Sequence, residues 1–272
     1  MQLWPRVALL LSAPALALAM PAPDAVQAYA DVNGLHMYYE VHGAGPPILL
    51  LHGGIADNAF WSETLPALSR DHQVIAPEQM GHGHTADLPS REFSYQQMAD
   101  DTAALLEKLH VSRVDVVGWS DGGILGYLLA INHPDLVRRL VTSGSNVDDE
   151  GLKGSSGDVK PDQIPRMFRD EYDKVSPDGP GHFPEFVRRV GTMWHKYPYL
   201  DRRKLSAIRC PTMIVVGDHD FFPVEVALHI VRDIPGAQLM VVPGSGHGTF
   251  LAKPALMNLA VLQFLDAPDP KK

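Results

Sequence analysis

Cysteine is almost absent from this sequence: Cys210 is the single one among 272 residues. A lone thiol excludes an internal disulfide framework and every zinc site built on cysteines. Basic runs are missing too. Lys and Arg number 23 against 32 Asp and Glu, a formal net charge of −9, which argues against a protein that tracks nucleic-acid phosphates. No apolar run reaches the roughly 20 residues that a membrane-spanning helix needs. Neither an internal repeat nor a low-complexity tract is present. With 45 % hydrophobic and 20 % charged residues, the chain is neither disordered nor a coiled coil. Its length suits one large domain, or a domain carrying a sizeable insertion.

What is present begins with a leader pattern. Arg6 is the only charge before Asp24, and an apolar stretch from Val7 to Ala19 follows it. The stretch ends in Ala17-Leu18-Ala19, the small-x-small pattern read by signal peptidase. Residues 1–19 are therefore expected to be a signal peptide cleaved after Ala19. The mature product is expected to be exported, periplasmic or secreted, with no stable membrane anchor. No cysteine near the cleavage point indicates a lipid anchor.

Tyr29 to Val32 and Leu35 to Val41 flank Asn33-Gly34, a strong hairpin signal because both turn positions need positive φ. Short runs rich in Val, Ile and Leu then recur at Ile48–Leu51, Val74–Ala76, Val114–Val117, Leu140–Thr142, Met213–Val216 and Leu239–Val242. Each is too short for a helix and fits a strand buried on both faces. Between them lie helical periods. In Tyr95–His110, Met98, Thr102, Leu105, Leu106 and Leu109 form one stripe. Strand alternating with helix predicts an α/β protein with a mostly parallel twisted sheet covered on both faces.

The alternation breaks from Ser143 to Thr212. Such a gap far exceeds a crossover helix. It opens on a polar stretch, Asp148 to Lys160, that reads as a hinge or mobile loop, and continues with Phe168, Tyr172, Phe183, Phe186, Trp194, Tyr197 and Tyr199. The expected organisation is a core over residues 20–146, an inserted helical lid over 147–205, and the rest of the core over 206–272. The lid aromatics serve either its own core or the lining of a pocket.

The decisive segment runs Val114-Asp-Val-Val-Gly118-Trp119-Ser120-Asp121-Gly122-Gly123 and continues in a helical pattern to Asn132-His133-Pro134. A serine between a strand and a helix is forced into a strained turn that exposes its hydroxyl, and the flanking glycines carry no Cβ to clash there. The new helix also aims backbone N–H groups at the reaction centre. Two further strands end in polar residues: Pro211–Val216 leads to Gly217-Asp218-His219-Asp220, and Gln238–Val242 leads to Gly246-His247. Both would lie at the carboxyl ends of parallel strands, where open α/β sheets place their sites.

The order Ser, Asp, His in these contexts resembles the α/β-hydrolase fold family from Tyr29 to Leu265. The resemblance implies Ser120 as nucleophile, His247 as general base and Asp220 as the acid that orients it. Asp220 is favoured over Asp218 by its spacing from Gly217, leaving Asp218 to brace the loop. Similarity to the family also implies that the backbone N–H groups of Gly54 and Asp121 bind the oxyanion, Gly54 following the strand in Leu51-His52-Gly53-Gly54. His52 reads as a structural residue under that loop. Gly81-His82-Gly83-His84 resembles the family's Gly-His-Gly loop, with no ligand spacing for a metal. No cofactor and no metal are expected.

Serine at position 120 argues against the fold relatives that use aspartate or cysteine there. The expected activity is hydrolysis of a carboxylic ester or lactone, with that small molecule as the expected partner and no nucleic acid. The alternatives on the same triad are a carbon–carbon bond hydrolase of ring-cleavage products and a cofactor-free haloperoxidase or perhydrolase. A binding module on a catalytically dead fold is the non-enzyme alternative, disfavoured because all three triad residues are kept. The Gly-Trp-Ser-Asp-Gly-Gly elbow resembles small carboxylesterases of the valacyclovir-hydrolase-like group. The Asp121 carboxylate places a negative charge beside the site that would bind an amine on the substrate, unless the side chain turns away to pair with a lid or core residue. Trp119 and Trp194 are candidate pocket-lining residues beside it. Arg138-Arg139, Arg188-Arg189 and Arg202-Arg203 read as solvated faces. The sequence carries no signal for oligomeric state.

Overall fold

The structure, a computed structural model, describes residues 25–148, 159–196 and 199–268. The leader over residues 1–19 lies outside the described residues, as does most of the polar stretch between Asp148 and Lys160. Eight strands form one sheet: β1 (Val26–Val32), β2 (Leu35–His42), β3 (Pro47–Leu51), β4 (Gln73–Pro77), β5 (Val114–Trp119), β6 (Val137–Ser143), β7 (Thr212–Gly217) and β8 (Gln238–Val242). Their spatial order is β1-β2-β4-β3-β5-β6-β7-β8. Strands β1 and β2 pair antiparallel across the Asn33-Gly34 turn, where φ is 49° and 80°, and β2 is antiparallel to β4. The remaining neighbours run parallel.

Eight α-helices occur among the described residues: α1 (Leu65–Leu68), α2 (Tyr95–Lys108), α3 (Asp121–Asn132), α4 (Arg166–Val175), α5 (Phe183–Trp194), α6 (Val224–Asp233), α7 (Thr249–Ala252) and α8 (Pro254–Leu265). None of them is long and apolar enough to cross a membrane. The period-2 alternation of strand side chains divides the core into two layers. Leu49, Leu51, Val116, Ile214 and Val216 pack with Leu105, Leu125 and Ile230 on one face. Ile48, Leu50, Val117, Trp119 and Val215 pack with Leu68, Met257 and Val261 on the other. Each such fully buried aliphatic side chain contributes about 1.5–3 kcal/mol, so the central strands anchor whatever their ends present.

Two expectations need correction. Strand β8 is not buried on both faces: Val241 is 40 % exposed. It is the outermost strand, so one side of it has no neighbour to cover it. The three Arg-Arg pairs are not uniformly solvated either. Arg139 is 2 % exposed and donates to the Ala267 carbonyl at 2.6 Å, while Arg138 pairs with the buried Asp115. Arg189 is held by Asp87 at 2.5 Å with its guanidinium over the Phe93 ring, whereas Arg188 and Arg203 are exposed. Both Arg138 and Arg139 thus turn inward, whereas the Arg188-Arg189 pair straddles the surface of α5, one member held and the other facing water.

Helices α4 and α5 lie between β6 and β7, over the carboxyl ends of the central strands. Their aromatics divide between two tasks. Phe183, Phe186 and Tyr172 form a buried cluster of their own. Phe168, Trp194 and Tyr199 face a cavity shared with the core; Tyr197 lies outside the described residues.

Candidate active site

Ser120 sits where β5 turns into α3, with φ 54° and ψ −120°. A side-chain-bearing residue held in that region stores on the order of 1–3 kcal/mol of strain. Neighbouring backbone holds it there: Ser120 N–H donates to the Ser143 carbonyl at 2.8 Å, and the Ser145 hydroxyl donates to the Ser120 carbonyl at 2.8 Å. Gly118 and Gly122 are needed because the chain crosses itself tightly. A Cβ on Gly118 would lie 2.3 Å from the Gly122 carbonyl oxygen, and one on Gly122 would lie 2.0 Å from that of Leu51.

Three side chains from separate strand ends then meet. His247 Nε2 lies 2.9 Å from Ser120 Oγ, and His247 Nδ1 lies 3.0 Å from Asp220 Oδ1. The Asp220 side chain is fully buried and also accepts the Phe222 N–H at 3.1 Å, which fixes its direction. With the Nδ1 proton donated to that carboxylate, Nε2 is free to accept the serine proton. Asp218 does not reach the histidine. It accepts the Ser245 N–H at 3.1 Å and pairs with His219 at 2.9 Å. The backbone N–H groups of Gly244 and Ser245 hold its carboxyl below the usual range.

His52 is buried under the loop carrying Gly54. Its Nδ1 donates to the Gly53 carbonyl at 2.8 Å and its Nε2 accepts the Gln79 N–H at 3.1 Å. Burial lowers its pKa, so it is a neutral brace. His82 is likewise buried, with its pKa pushed down to about 3 by burial, and donates to the Met80 carbonyl at 2.9 Å. His84 instead faces Glu78 at 3.0 Å, and that carboxylate raises its pKa.

Ser120, His247, Gly54 and Asp121 open on a cavity of about 710 Å³, a size suited to a small-molecule ligand. Ile164, Met167, Phe168, Phe221 and Leu251 are among its apolar lining. Among the described lining residues none is Lys or Arg, and Asp121 is the single acid. Trp119 lines the cavity and its indole N–H donates to the His247 carbonyl at 2.8 Å, while its ring stacks on Phe60 at 3.8 Å.

The side chain of Asp121 takes the inward arrangement. Oδ1 accepts the Tyr95 hydroxyl and Oδ2 accepts the Trp194 indole N–H, both at 2.8 Å. Burial pushes its pKa up to about 6, with these two donors pulling the other way. Of the two readings of this carboxylate, the side chain adopts the pairing with a core and an insertion residue: its oxygens are engaged by Tyr95 and Trp194. Spacing gave no hint of this pair, because Tyr95 and Trp194 lie 26 and 73 residues away in the chain.

Comparison with known proteins agrees with this architecture. Residues 46–175 match the family model of the alpha/beta hydrolase fold. A protein of Pseudomonas savastanoi pv. phaseolicola named as a carbamate hydrolase, RutD, is 27 % identical over 85 % of this chain and 99 % of its own. Est816, described as an N-acyl homoserine lactone degrading enzyme, is 25 % identical with a TM-score of 0.71, covering 87 % of this chain and 99 % of that one. The meta-cleavage product hydrolase CumD of Pseudomonas fluorescens IP01 is 23 % identical with a TM-score of 0.73, over 88 % and 97 % of the two chains. The chain has the α/β-hydrolase fold. It is a hydrolase of that fold superfamily.

Proposed function

We propose that this protein is a serine esterase that hydrolyses an apolar carboxylic ester or lactone through an acyl-enzyme. The observation that carries the reading is the hydrogen-bonded line from Asp220 through His247 to Ser120, ending at an apolar cavity. As Ser120 Oγ bonds to the substrate carbonyl carbon, its proton passes to His247 Nε2 and the carbonyl π pair becomes an oxyanion. The backbone N–H groups of Gly54 and Asp121 receive that oxyanion, each such donor being worth about 3–4 kcal/mol. When the carbonyl re-forms, the bond to the leaving oxygen breaks and His247 returns the proton to it. Water then gives a proton to His247 and attacks the acyl carbon; Ser120 leaves and regains its proton. Asp220 stabilises the imidazolium in both halves.

The cavity narrows the substrate. Ring-cleavage products and carbamate are carboxylate-bearing, and no Lys or Arg among the described lining residues is there to receive such a charge. Desolvating an anion without a partner costs several kcal/mol, which favours a neutral acyl group. In this reading residues 147–205 form the lid over the acyl cavity, and residues 1–19 direct export.

The test is hydrolysis of p-nitrophenyl esters from acetate to decanoate by wild type and Ser120→Ala. Turnover by wild type alone, favouring medium chains, supports the proposal. Silence of the folded wild type on every ester, with turnover of an anionic ring-cleavage substrate, would remove it.

A further inference from the structure

The Asp121 carboxylate joins three elements. Tyr95 at the head of α2 donates to Oδ1, and Trp194 at the end of α5 donates to Oδ2. Asp121 is 9 % exposed, so water does not compete freely for either bond. The same pair forms the wall behind Gly54. A Cβ on Gly54 would lie 2.4 Å from Asp121 Oδ2 and 2.6 Å from Trp194 Cζ2. The loop carrying Gly54 thus rests directly on the carboxylate and the indole. Trp194 is itself held in place, since the Tyr199 hydroxyl donates to its carbonyl at 2.8 Å and the Tyr199 ring meets Tyr95 edge-on at 4.9 Å.

Lining a pocket requires none of this. A tryptophan that only lined the cavity would offer its ring and need no carboxylate partner. A carboxylate beside the nucleophile, left alone, would repel the oxyanion that forms next to it. Two donors draw that charge away from the reacting carbon and fix Oδ2 against the back of Gly54.

We infer that the Trp194–Asp121 contact is a clasp through which the end of α5 sets the position of the Gly54 backbone N–H. The insertion then governs the oxyanion donors as well as the acyl cavity. This rests on the reading of Ser120 as an acyl-transfer nucleophile. Trp194 and Tyr95 are positioning residues, since neither touches the reacting carbonyl.

Trp194→Phe keeps the ring and removes the donor. Wild type and variant are compared on p-nitrophenyl acetate and decanoate, and in the rate at which an alkyl fluorophosphonate labels Ser120. In labelling, the Ser120 Oγ–P bond forms, the P–F bond breaks, fluoride leaves and His247 takes the proton, so the oxyanion donors matter while the carboxylic acyl group does not. The clasp predicts that kcat and labelling rate fall together, roughly 10- to 100-fold, by the same factor on both esters and with KM nearly unchanged. Asp121→Ala should fall equally, the double variant no further, and Asp121→Asn less, since its amide can still accept from Trp194. These Asp121 variants carry the test if Trp194→Phe does not fold.

A KM rise confined to decanoate, with kcat and labelling unchanged, would overturn the clasp and leave Trp194 a lining residue. A wild type that ignores esters yet labels, and labels more slowly as Trp194→Phe, would keep the clasp and overturn the ester reading. Absence of labelling in wild type would overturn both.

Discussion

Trp119 and His247 stand 128 residues apart in the chain, and the indole Nε1 of one donates to the main-chain carbonyl of the other at 2.8 Å. The residue before Ser120 therefore anchors the loop that carries His247. Because the Trp119 ring also stacks on Phe60 in the core, serine and histidine share one rigid mount. Trp119→Phe retains the stacking and removes the indole donor, leaving that carbonyl only the Thr249 N–H at 3.1 Å, a loss of about 0.5–1.5 kcal/mol. The expected result is a lower Tm and a kcat reduced about tenfold, read from stopped-assay kinetics beside a melting curve. An unchanged kcat would detach Trp119 from the placement of the base.

Ser120 is held at φ 54° and ψ −120°. Ser120→Ala should lower turnover by about 10⁴- to 10⁶-fold while the circular dichroism stays native. Ser120→Gly should be equally inactive yet melt higher than Ser120→Ala, because glycine tolerates φ 54° without a Cβ penalty. Equal melting of the two variants would show that the turn is not strained.

The two loop aspartates should separate cleanly. Asp220→Asn removes the charge that stabilises the imidazolium and offers an amide donor that holds the wrong His247 tautomer, so it should cost about 10⁴-fold in kcat. Asp218→Asn keeps an acceptor for the Ser245 N–H but loses the charge that pairs with His219, so Tm falls slightly while kcat stays within about tenfold. The reverse ranking of kcat would reassign the acid.

Asp57 supplies a pH test away from the triad. It is 8 % exposed, and burial followed by the nearby Glu78 raises its pKa from 3.8 to about 7. The folded state thus prefers the protonated form. Stability from this group is intact below about pH 4 and is lost as pH rises through about 7. Asn keeps the acceptor for the Ala59 N–H and cannot ionise. Asp57→Asn should therefore gain on wild type by an amount on the order of 2–4 kcal/mol between pH 4 and pH 8, measured by urea unfolding at each pH. A gain that shrinks toward alkaline pH would reverse the assignment.

Legibility in the sequence followed the range of the forces involved. The Asn33-Gly34 turn and the β5–Ser120–α3 elbow are local demands on φ and on space at glycine, so neighbouring residues declare them. The positions of Asp220 and His247 were readable for the same reason, each closing a short apolar strand. Three features were not. The exposure of Val241 depends on β8 being outermost, which strand order alone decides. Burial of Arg139 and Arg189 depends on partners at Ala267 and Asp87. The engagement of Asp121 by Tyr95 and Trp194 arises only when α2 and α5 are brought over the elbow.

The most direct test of the account is rapid mixing of wild type with p-nitrophenyl butyrate, followed by quenching and peptide mass analysis. The acyl-enzyme reading predicts a burst of about one nitrophenolate per active site and a butyryl group on Ser120 that decays with turnover. Hydrolysis with no adduct on Ser120 at any time point, and undiminished in Ser120→Ala, would contradict it.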